Sequence, residues 1–158
     1  LKACEFIFKE NSKMQSLFDL GSGNGFPGVV FAILYPQVKV VLVESDERFA
    51  DFLRHITTRL QLPNTNVVST KVEELQIDEK TVAVCRAFSN LARTLLMGNK
   101  IFARESIIYS MRGSDWFSEL ASLPTQIGST WNTEMSYEYE LPESLGSRVI
   151  LKSVKILD

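Results

Sequence analysis

Phe18-Asp19-Leu20-Gly21-Ser22-Gly23-Asn24-Gly25-Phe26-Pro27-Gly28 decides how this chain is read. The run Ser16-Leu17-Phe18 leads into it, and an apolar helical pattern, Val29 to Tyr35, leads out. The pattern predicts a strand, a glycine-rich turn and a helix start. Glycines at alternate positions let the backbone turn sharply and come against a ligand that any Cβ would hold off. The helix start adds unpaired N–H groups and a favourable dipole for electron-rich ligand atoms. Pro27 suits a first helical turn, where its missing N–H leaves nothing unpaired. A turn that binds nothing is the poorer reading, because so many glycines raise the entropy cost of ordering the loop.

Two cofactor classes fit this loop. Gly23-x-Gly25-x-x-Gly28 matches the dinucleotide fingerprint. Asp19-x-Gly21-x-Gly23-x-Gly25 matches the acidic glycine loop of S-adenosylmethionine (SAM) enzymes.

Strands and helices alternate outward from the turn. Leu1 to Glu10 reads as helical, with Leu1, Cys4, Ile7 and Phe8 at helical spacing and Asn11-Ser12 ending it. Strand one is Leu17–Leu20. The helix after the turn runs to about Tyr35, where Pro36 stops it. Lys39 to Glu44 is the near-continuous apolar run of a parallel strand covered on both faces. Glu47 to Leu60 places Phe49, Phe52, Leu53, Ile56 and Leu60 on one stripe, the pattern of an amphipathic helix. Asn66 to Ser69 is a third strand, followed by a short acidic helix around Val72 to Leu75. Val82 to Cys85 is a fourth strand ending at Arg86. Leu91 to Phe102 is helical, Ser106 to Met111 is a fifth strand, and Trp116 to Leu120 is a short helix. Met135–Leu141 and Arg148–Ile156 read as an antiparallel pair joined through Pro142-Glu143-Ser144-Leu145-Gly146. The expected fold is therefore α/β and Rossmann-like, a seven-stranded, mostly parallel sheet with a C-terminal antiparallel pair. Ligands in such sheets bind beyond the C-terminal strand ends, beside strand one.

The 158 residues are enough for one domain that buries roughly two-thirds of its unfolded surface. We expect a helical segment over 1–16 and a single domain over 17–158. The chain begins at Leu1 rather than Met, so further residues are expected to precede it. No apolar run approaches the ~20 residues of a membrane span, and no secretory signal stands at the start, so a cytoplasmic location with no membrane partner is expected. Cys4, Cys85 and the single His55 show no metal-ligand spacing, and no metal is expected.

Seventeen Lys and Arg against 19 Asp and Glu give a net charge of −2, which argues against a broad nucleic-acid surface. From Arg86 to Arg112, however, Arg86, Arg93, Lys100, Arg104 and Arg112 meet one acid, Glu105. A solvated helix face is the plainer reading. Convergence on the cofactor side would make a local phosphate footprint.

Glu44 ends strand two, where a carboxylate can accept hydrogen bonds from both ribose hydroxyls of SAM or NAD. Three features favour SAM. Asp19 precedes the glycines where dinucleotide folds carry an apolar residue, Glu73-Glu74 follows strand three, and the antiparallel pair closes the sheet. Asp78 and Glu79 read as solvated turn residues.

Asp19-Leu-Gly-Ser-Gly-Asn-Gly-Phe-Pro-Gly28 resembles the motif of the bacterial glucose-inhibited division protein B family, the 16S ribosomal RNA guanine-N7 methyltransferases. Further matches follow in register: Val43-Glu44-Ser45 with Arg48 and Phe52-Leu53, Val72-Glu73-Glu74, Arg86-Ala87-Phe88, Arg112-Gly113 and Val149-Ile150-Leu151-Lys152. The resemblance spans Leu17 to Ile156, and the family's usual N-terminal helical segment is mostly absent. Asn24, Lys71 and Arg112 stand where the family has a small residue or proline, an arginine, and a lysine. The resemblance implies SAM as cofactor, bound around Asp19, Gly21, Ser22, Gly23, Asn24, Gly25 and Phe26, with Glu44 and Ser45 at the ribose, Val72 and Glu73 at the adenine, and Arg86 at the mouth. It implies Arg86, Phe88 and Arg112 as RNA contacts, and 16S ribosomal RNA within the small ribosomal subunit as partner of a monomer.

Guanine N7 carries a free lone pair, so methyl transfer to it needs proximity and orientation rather than a general base. The chain accordingly has no Asn/Asp-Pro-Pro-aromatic motif. Cys85, in a strand with no preceding proline, reads as core, and His55 as structural or exposed. Phe88 is the named candidate to stack the target base, with a core role as its other reading. Trp116, Tyr137 and Tyr139 are weaker candidates, and Trp131 has no sequence reading. Two other classes stay open at this point: an NAD-dependent oxidoreductase and a binding-only ribosome-associated SAM-binding protein.

Overall fold

A computed structural model describes residues 1–77, 79–141 and 146–157. Asp78 and most of the expected connection between the last two strands, Pro142 to Leu145, lie outside the described residues. The elements are α1 Lys2–Glu10, β1 Ser16–Leu20, α2 Gly28–Leu34, β2 Lys39–Glu44, α3 Glu47–Arg59 and β3 Thr65–Ser69, then a 3-10 turn Val72–Glu74. There follow β4 Val82–Arg86, α4 Leu91–Ile101, β5 Ile107–Arg112, α5 Trp116–Ala121, α6 Thr125–Thr130, β6 Trp131–Glu140 and β7 Ser147–Lys155.

The strands form one sheet in the order β3-β2-β1-β4-β5-β7-β6. β1 to β5 pair in parallel, and β7 runs antiparallel between β5 and β6. The sheet is the one expected from the sequence. β1 lies between β2 and β4, so the chain reverses its direction of travel across the sheet at β1, and the glycine turn leaves the sheet there.

Val40 to Val43 of β2 are all buried, as a strand covered on both faces requires. One layer packs Leu20, Val41, Val43, Leu91, Leu95, Ile108 and Trp131. The other packs Cys4, Ile7, Leu17, Phe31, Leu42, Leu53, Tyr109 and Ile150, so α1 belongs to the same core as the sheet. Each fully buried side chain of this size contributes roughly 1.5–3 kcal/mol. Asn11 ends α1 and fixes it to β5, its Nδ2 donating to Ile7 O and to the Tyr109 hydroxyl, each at 2.8 Å.

Two expectations change. On α3, Leu53 is buried, but Phe49, Phe52 and Leu60 of the expected stripe are 45%, 43% and 46% exposed, and Ala50 and Thr57 take buried positions instead. Small residues let α3 lie close to the sheet, and the large rings are left on the solvent side. β6 begins at Trp131 rather than Met135, preceded by α6, which the sequence did not announce. The register of β6 against β7 shifts between Met135 and Tyr137. That irregularity breaks the period-two alternation and hides the first half of the strand. Trp131 is fully buried, and a Cβ on Gly98 of α4 would lie 2.8 Å from its ring. Its indole N–H donates to Asn99 Oδ1. Among the described residues no helix is long and apolar enough to cross a membrane.

Candidate active site

The glycine turn is held from beneath by Asp19. This side chain, on the strand between β2 and β4, is buried, and its Oδ2 accepts the Gly28 N–H at 2.9 Å, tying the end of β1 to the start of α2. A Cβ on Gly28 would stand 2.5 Å from that oxygen and 2.4 Å from Leu42, so the bond requires glycine there. Burial pushes the Asp19 carboxyl up to about 7, against the lowering by the Gly28 N–H, Ser22 and the charge of Arg86, with Glu44 adding to the rise. Asp19 and Gly25 were expected among the cofactor contacts. Both are buried and line neither cavity of the site, and each shapes the turn from behind.

Above this clamp the turn faces the end of β2. Gly21 N and Ser22 N donate to Val43 O at 2.9 and 3.0 Å. Glu44 Oε2 accepts Gly23 N at 2.8 Å, and Oε1 accepts Asp46 N at 2.9 Å. The carboxylate expected at the ribose therefore ties the turn to the start of α3. Each oxygen keeps a second acceptor position for a ligand hydroxyl.

Two adjoining cavities share Gly21, Ser45 and Phe88. The larger, about 540 Å³, is lined by Ser22, Gly23, Asn24, Phe26, Glu44, Asp46, Phe49, Arg86 and Ala87. The smaller, about 320 Å³, is lined by Val43, Thr70, Lys71, Val72, Glu73, Ser89, Arg93 and Met97. The structure thus brings Gly21, Ser22, Gly23, Asn24, Phe26, Glu44, Ser45, Val72, Glu73, Arg86 and Phe88 to one continuous cleft at the C-terminal strand ends. Asp46, Phe49, Lys71, Ser89 and Arg93 join them. Sequence reasoning missed Asp46, Phe49, Lys71 and Ser89 as lining residues, although each follows a strand end by two to five positions, and of the basic run it named, Arg93 joins Arg86 at the cleft.

Phe88 packs directly on the turn, since a Cβ on Gly21, at φ +69°, would lie 2.4 Å from its ring. Ala87 holds φ +52°, a left-handed conformation that costs about 1–2 kcal/mol and turns Phe88 back over Gly21. Arg86, exposed at the end of β4, donates from Nη2 to Asn24 Oδ1 at 3.2 Å, and its Cζ stands 5.6 Å from the Phe26 ring centroid.

Arg112 corrects an expectation. Placed among the RNA contacts by resemblance, it is 8% exposed, with Nη2 3.4 Å from Thr94 Oγ1 and Nη1 3.4 Å from Glu119 Oε2. Its Nη1 also donates to Ser89 O, and Glu119 accepts the Leu91 N–H at 2.6 Å. Arg112 lies at the end of a strand whose inner positions are covered, so its side chain turns inward and holds the segment after Phe88 against α4 and α5. Among the other residues singled out, His55 is exposed on α3, and Cys85 is core, its thiol pushed up by burial beside Ser110. Trp116 packs on the core, and Tyr137 stacks on Phe6 at 4.7 Å between centroids, away from the cleft. No metal-holding cluster occurs among the described residues.

The family model GidB, described as rRNA small subunit methyltransferase G, matches residues 1–143. Ribosomal RNA small subunit methyltransferase G 3 of Bdellovibrio bacteriovorus is 34% identical over 156 residues, covering 99% of this chain and 71% of that protein. Ribosomal RNA small subunit methyltransferase G of Chromobacterium violaceum is 35% identical over 109 residues, covering 68% of this chain and 52% of that protein. The chain thus spans from about half to 71% of the length of these relatives. Among solved structures, the YcgJ protein of Bacillus subtilis has a TM-score of 0.71 at 9% identity over the whole of both chains. A SAM-dependent O-methyltransferase of Thermotoga maritima has a TM-score of 0.69 at 15% identity, over 99% of this chain and 66% of that one. The fold is the one shared by class I SAM-dependent methyltransferases.

Proposed function

The chain belongs to the rRNA small subunit methyltransferase G (GidB) family, and on that premise we propose that it transfers a methyl group from SAM to N7 of a guanine in 16S ribosomal RNA, in a loop near the decoding centre. One observation carries the reading at the level of this chain's own residues. The Asp19-clamped turn brings its backbone, the open Cα surface of Gly23 and the Glu44 carboxylate, with an acceptor position to spare on each oxygen, onto one cleft. That donor and acceptor set fits the amino-acid and ribose ends of SAM. Val72 and Glu73 flank the smaller cavity, which suits a flat neutral adenine.

When bound, SAM supplies a sulfonium methyl that a nitrogen lone pair takes without a base, the carbon–sulfur pair returning to sulfur. The chain's residues are left with holding and aiming. Glu44 and the turn fix the cofactor end, and Arg86 and Phe88 line the larger cavity, through which the base arrives. Guanine N7 needs no proton removed, so orientation within the cleft is the main contribution the protein has to make. We place the enzyme in the cytoplasm as a monomer, acting on assembled or nearly assembled subunits, because its net charge of −2 supplies little attraction for naked RNA.

The test is incubation of the chain with methyl-labelled SAM and small subunits lacking the modification, followed by nucleoside digestion. Label in 7-methylguanosine is expected. Label in another nucleoside, or bound SAM without transfer, overturns the proposal, the latter in favour of a binding-only protein. Equal labelling of protein-free 16S RNA overturns the subunit preference.

A further inference from the structure

The cleft is walled by aromatic rings that the cofactor does not call for. Phe26 is 49% exposed and Phe49 is 45% exposed, and both line the larger cavity. Phe52, one turn along α3, is 43% exposed but does not line it. Phe26 and Phe49 come from different elements, the glycine turn and α3, and face the same space as Glu44, Arg86 and Phe88. Rings left half in water at the mouth of a cleft forgo burial that the fold could have gained by turning them inward.

The resemblance to the family assigns Phe26 to the methionine end of SAM. That end pairs an ammonium with a carboxylate, and a phenyl ring hydrogen-bonds to neither, offering only the cation–π attraction that the Phe26 ring already gives Arg86. Polar groups of the turn and of Glu44 lie on the same cavity. A flat, electron-rich, largely neutral ligand suits the rings better, and the Arg86 guanidinium already lies against the Phe26 ring at 5.6 Å. We propose that Phe26 and Phe49 are the two walls that hold the purine to be methylated, with Arg86 directed at its oxygen edge. This inference rests on the methyltransferase reading given above and names the base-holding part of the same cleft.

The chemistry of the edge fits. Guanine presents N7 and O6 as neighbouring acceptors. A guanidinium donating to O6 fixes the ring in its plane while the N7 lone pair stays free to react. Asn24 Oδ1, accepting from Arg86 Nη2 at 3.2 Å, sets the direction of that guanidinium.

Base rather than backbone belongs at this wall. The nearby surface of α3 carries Asp46, Glu47 and Asp51 alongside Arg48 and Arg54. Both arginines are paired, Arg48 to Asp46 at 2.8 Å and Arg54 to Glu47 and Asp51 at 2.9 and 2.7 Å. Three acids against two arginines leave no positive charge for phosphates. A base splayed out of a single-stranded loop can still enter by its rings alone.

The test compares the wild-type chain with Phe26→Leu, Phe49→Leu, Phe49→Tyr and Phe52→Leu. Three readouts are taken: SAM affinity by calorimetry, kcat/KM for methylation of unmodified small subunits, and quenching of a fluorescent purine placed in a single-stranded RNA oligomer. Phe26→Leu and Phe49→Leu are expected to lower kcat/KM about tenfold or more, the scale of one lost base-stacking contact. SAM affinity should stay within about twofold. Phe49→Tyr, which keeps the ring, should restore activity, and Phe52→Leu should match wild type. A parallel loss of SAM affinity overturns the proposal, because the rings would then serve the cofactor. Unchanged methylation in both leucine variants overturns it too, with the methyltransferase reading intact. A wild-type chain that methylates nothing overturns that reading instead. The walls are then decided by purine quenching alone: lost in Phe49→Leu and regained in Phe49→Tyr it supports them, and absent in the wild type it overturns them.

Discussion

Replacing Asp19 with asparagine isolates the proton that burial forces onto this carboxyl. In the folded chain its pKa stands at about 7 against 3.8 for the free side chain. Between those values the folded state holds a proton that the unfolded state releases. The contribution to stability is therefore complete below about pH 4, falls as pH rises through the window, and is lost above about pH 7. At about 1.36 kcal/mol per tenfold change in proton affinity, a gap of roughly three decades makes the total loss about 4 kcal/mol. An asparagine cannot ionise, and its oxygen can accept the Gly28 N–H where Asp19 Oδ2 does at 2.9 Å. Its amide N–H groups gain no assured partner in that buried place, which costs about 1–2 kcal/mol. The variant is thus expected to be about 1–2 kcal/mol less stable than wild type near pH 4 and about 2–3 kcal/mol more stable at pH 8. The two curves should cross. Urea unfolding followed by circular dichroism at half-unit pH intervals measures the difference, in which titrations common to both chains cancel. A stability difference that stays constant from pH 4 to 8 would refute the reasoning, and Asp19 would then be ionised in the folded protein throughout.

Other substitutions probe the site piece by piece. Glu44→Ala removes the acceptor of Gly23 N and Asp46 N and is expected to weaken SAM binding by roughly 1–3 kcal/mol; unchanged calorimetric affinity would dismiss Glu44 from the cofactor. Gly21→Ala drives a Cβ to 2.4 Å from the Phe88 ring at a φ of +69°, so SAM affinity should fall while the circular dichroism spectrum of the fold persists. Arg86→Ala should depress RNA methylation more than SAM affinity, and equal losses would move Arg86 to the cofactor. Gly98→Ala places a Cβ 2.8 Å from Trp131 and 2.9 Å from Ile108. The overpacking should cost about 1–3 kcal/mol in urea unfolding without changing SAM affinity.

What could be read from the sequence was whatever repeats locally. The glycine turn, the apolar β2 and the alternation of strands with helices announced the sheet, and the position of Glu44 at a strand end announced its place in the cleft. What stayed hidden depended on contacts between distant segments. The Met135/Tyr137 irregularity broke the alternation of β6, so the strand looked half its length and Trp131 looked like a loop residue. Phe49 and Phe52 fitted a helical stripe, yet the face that α3 buries is set by Ala50, Leu53 and Thr57. Arg112 carried the charge of an RNA contact, and only the fold reveals Ser89, Thr94 and Glu119 around it. Asp19 was recognised by its place before the glycines, while its inward turn toward Gly28 became visible only in three dimensions.

The burial of Trp131 also gives the protein an optical signature. Its two indoles sit in different surroundings. Trp131 is sealed in the core with its N–H bonded to Asn99. Trp116 is partly exposed at the start of α5, the short helix whose Glu119 reaches Arg112 and Leu91 N. Folded emission is therefore the sum of a blue component from an apolar site and a redder one from a partly wetted site. Unfolding moves the first, so intensity at the blue edge reports the integrity of the packing between α4 and β6. Trp116 reports instead on the segment that follows Phe88. Collisional quenchers in water reach that indole and spare Trp131. A Trp116→Phe variant separates the two signals, and the chain can be watched at its core and beside its cleft without any attached dye.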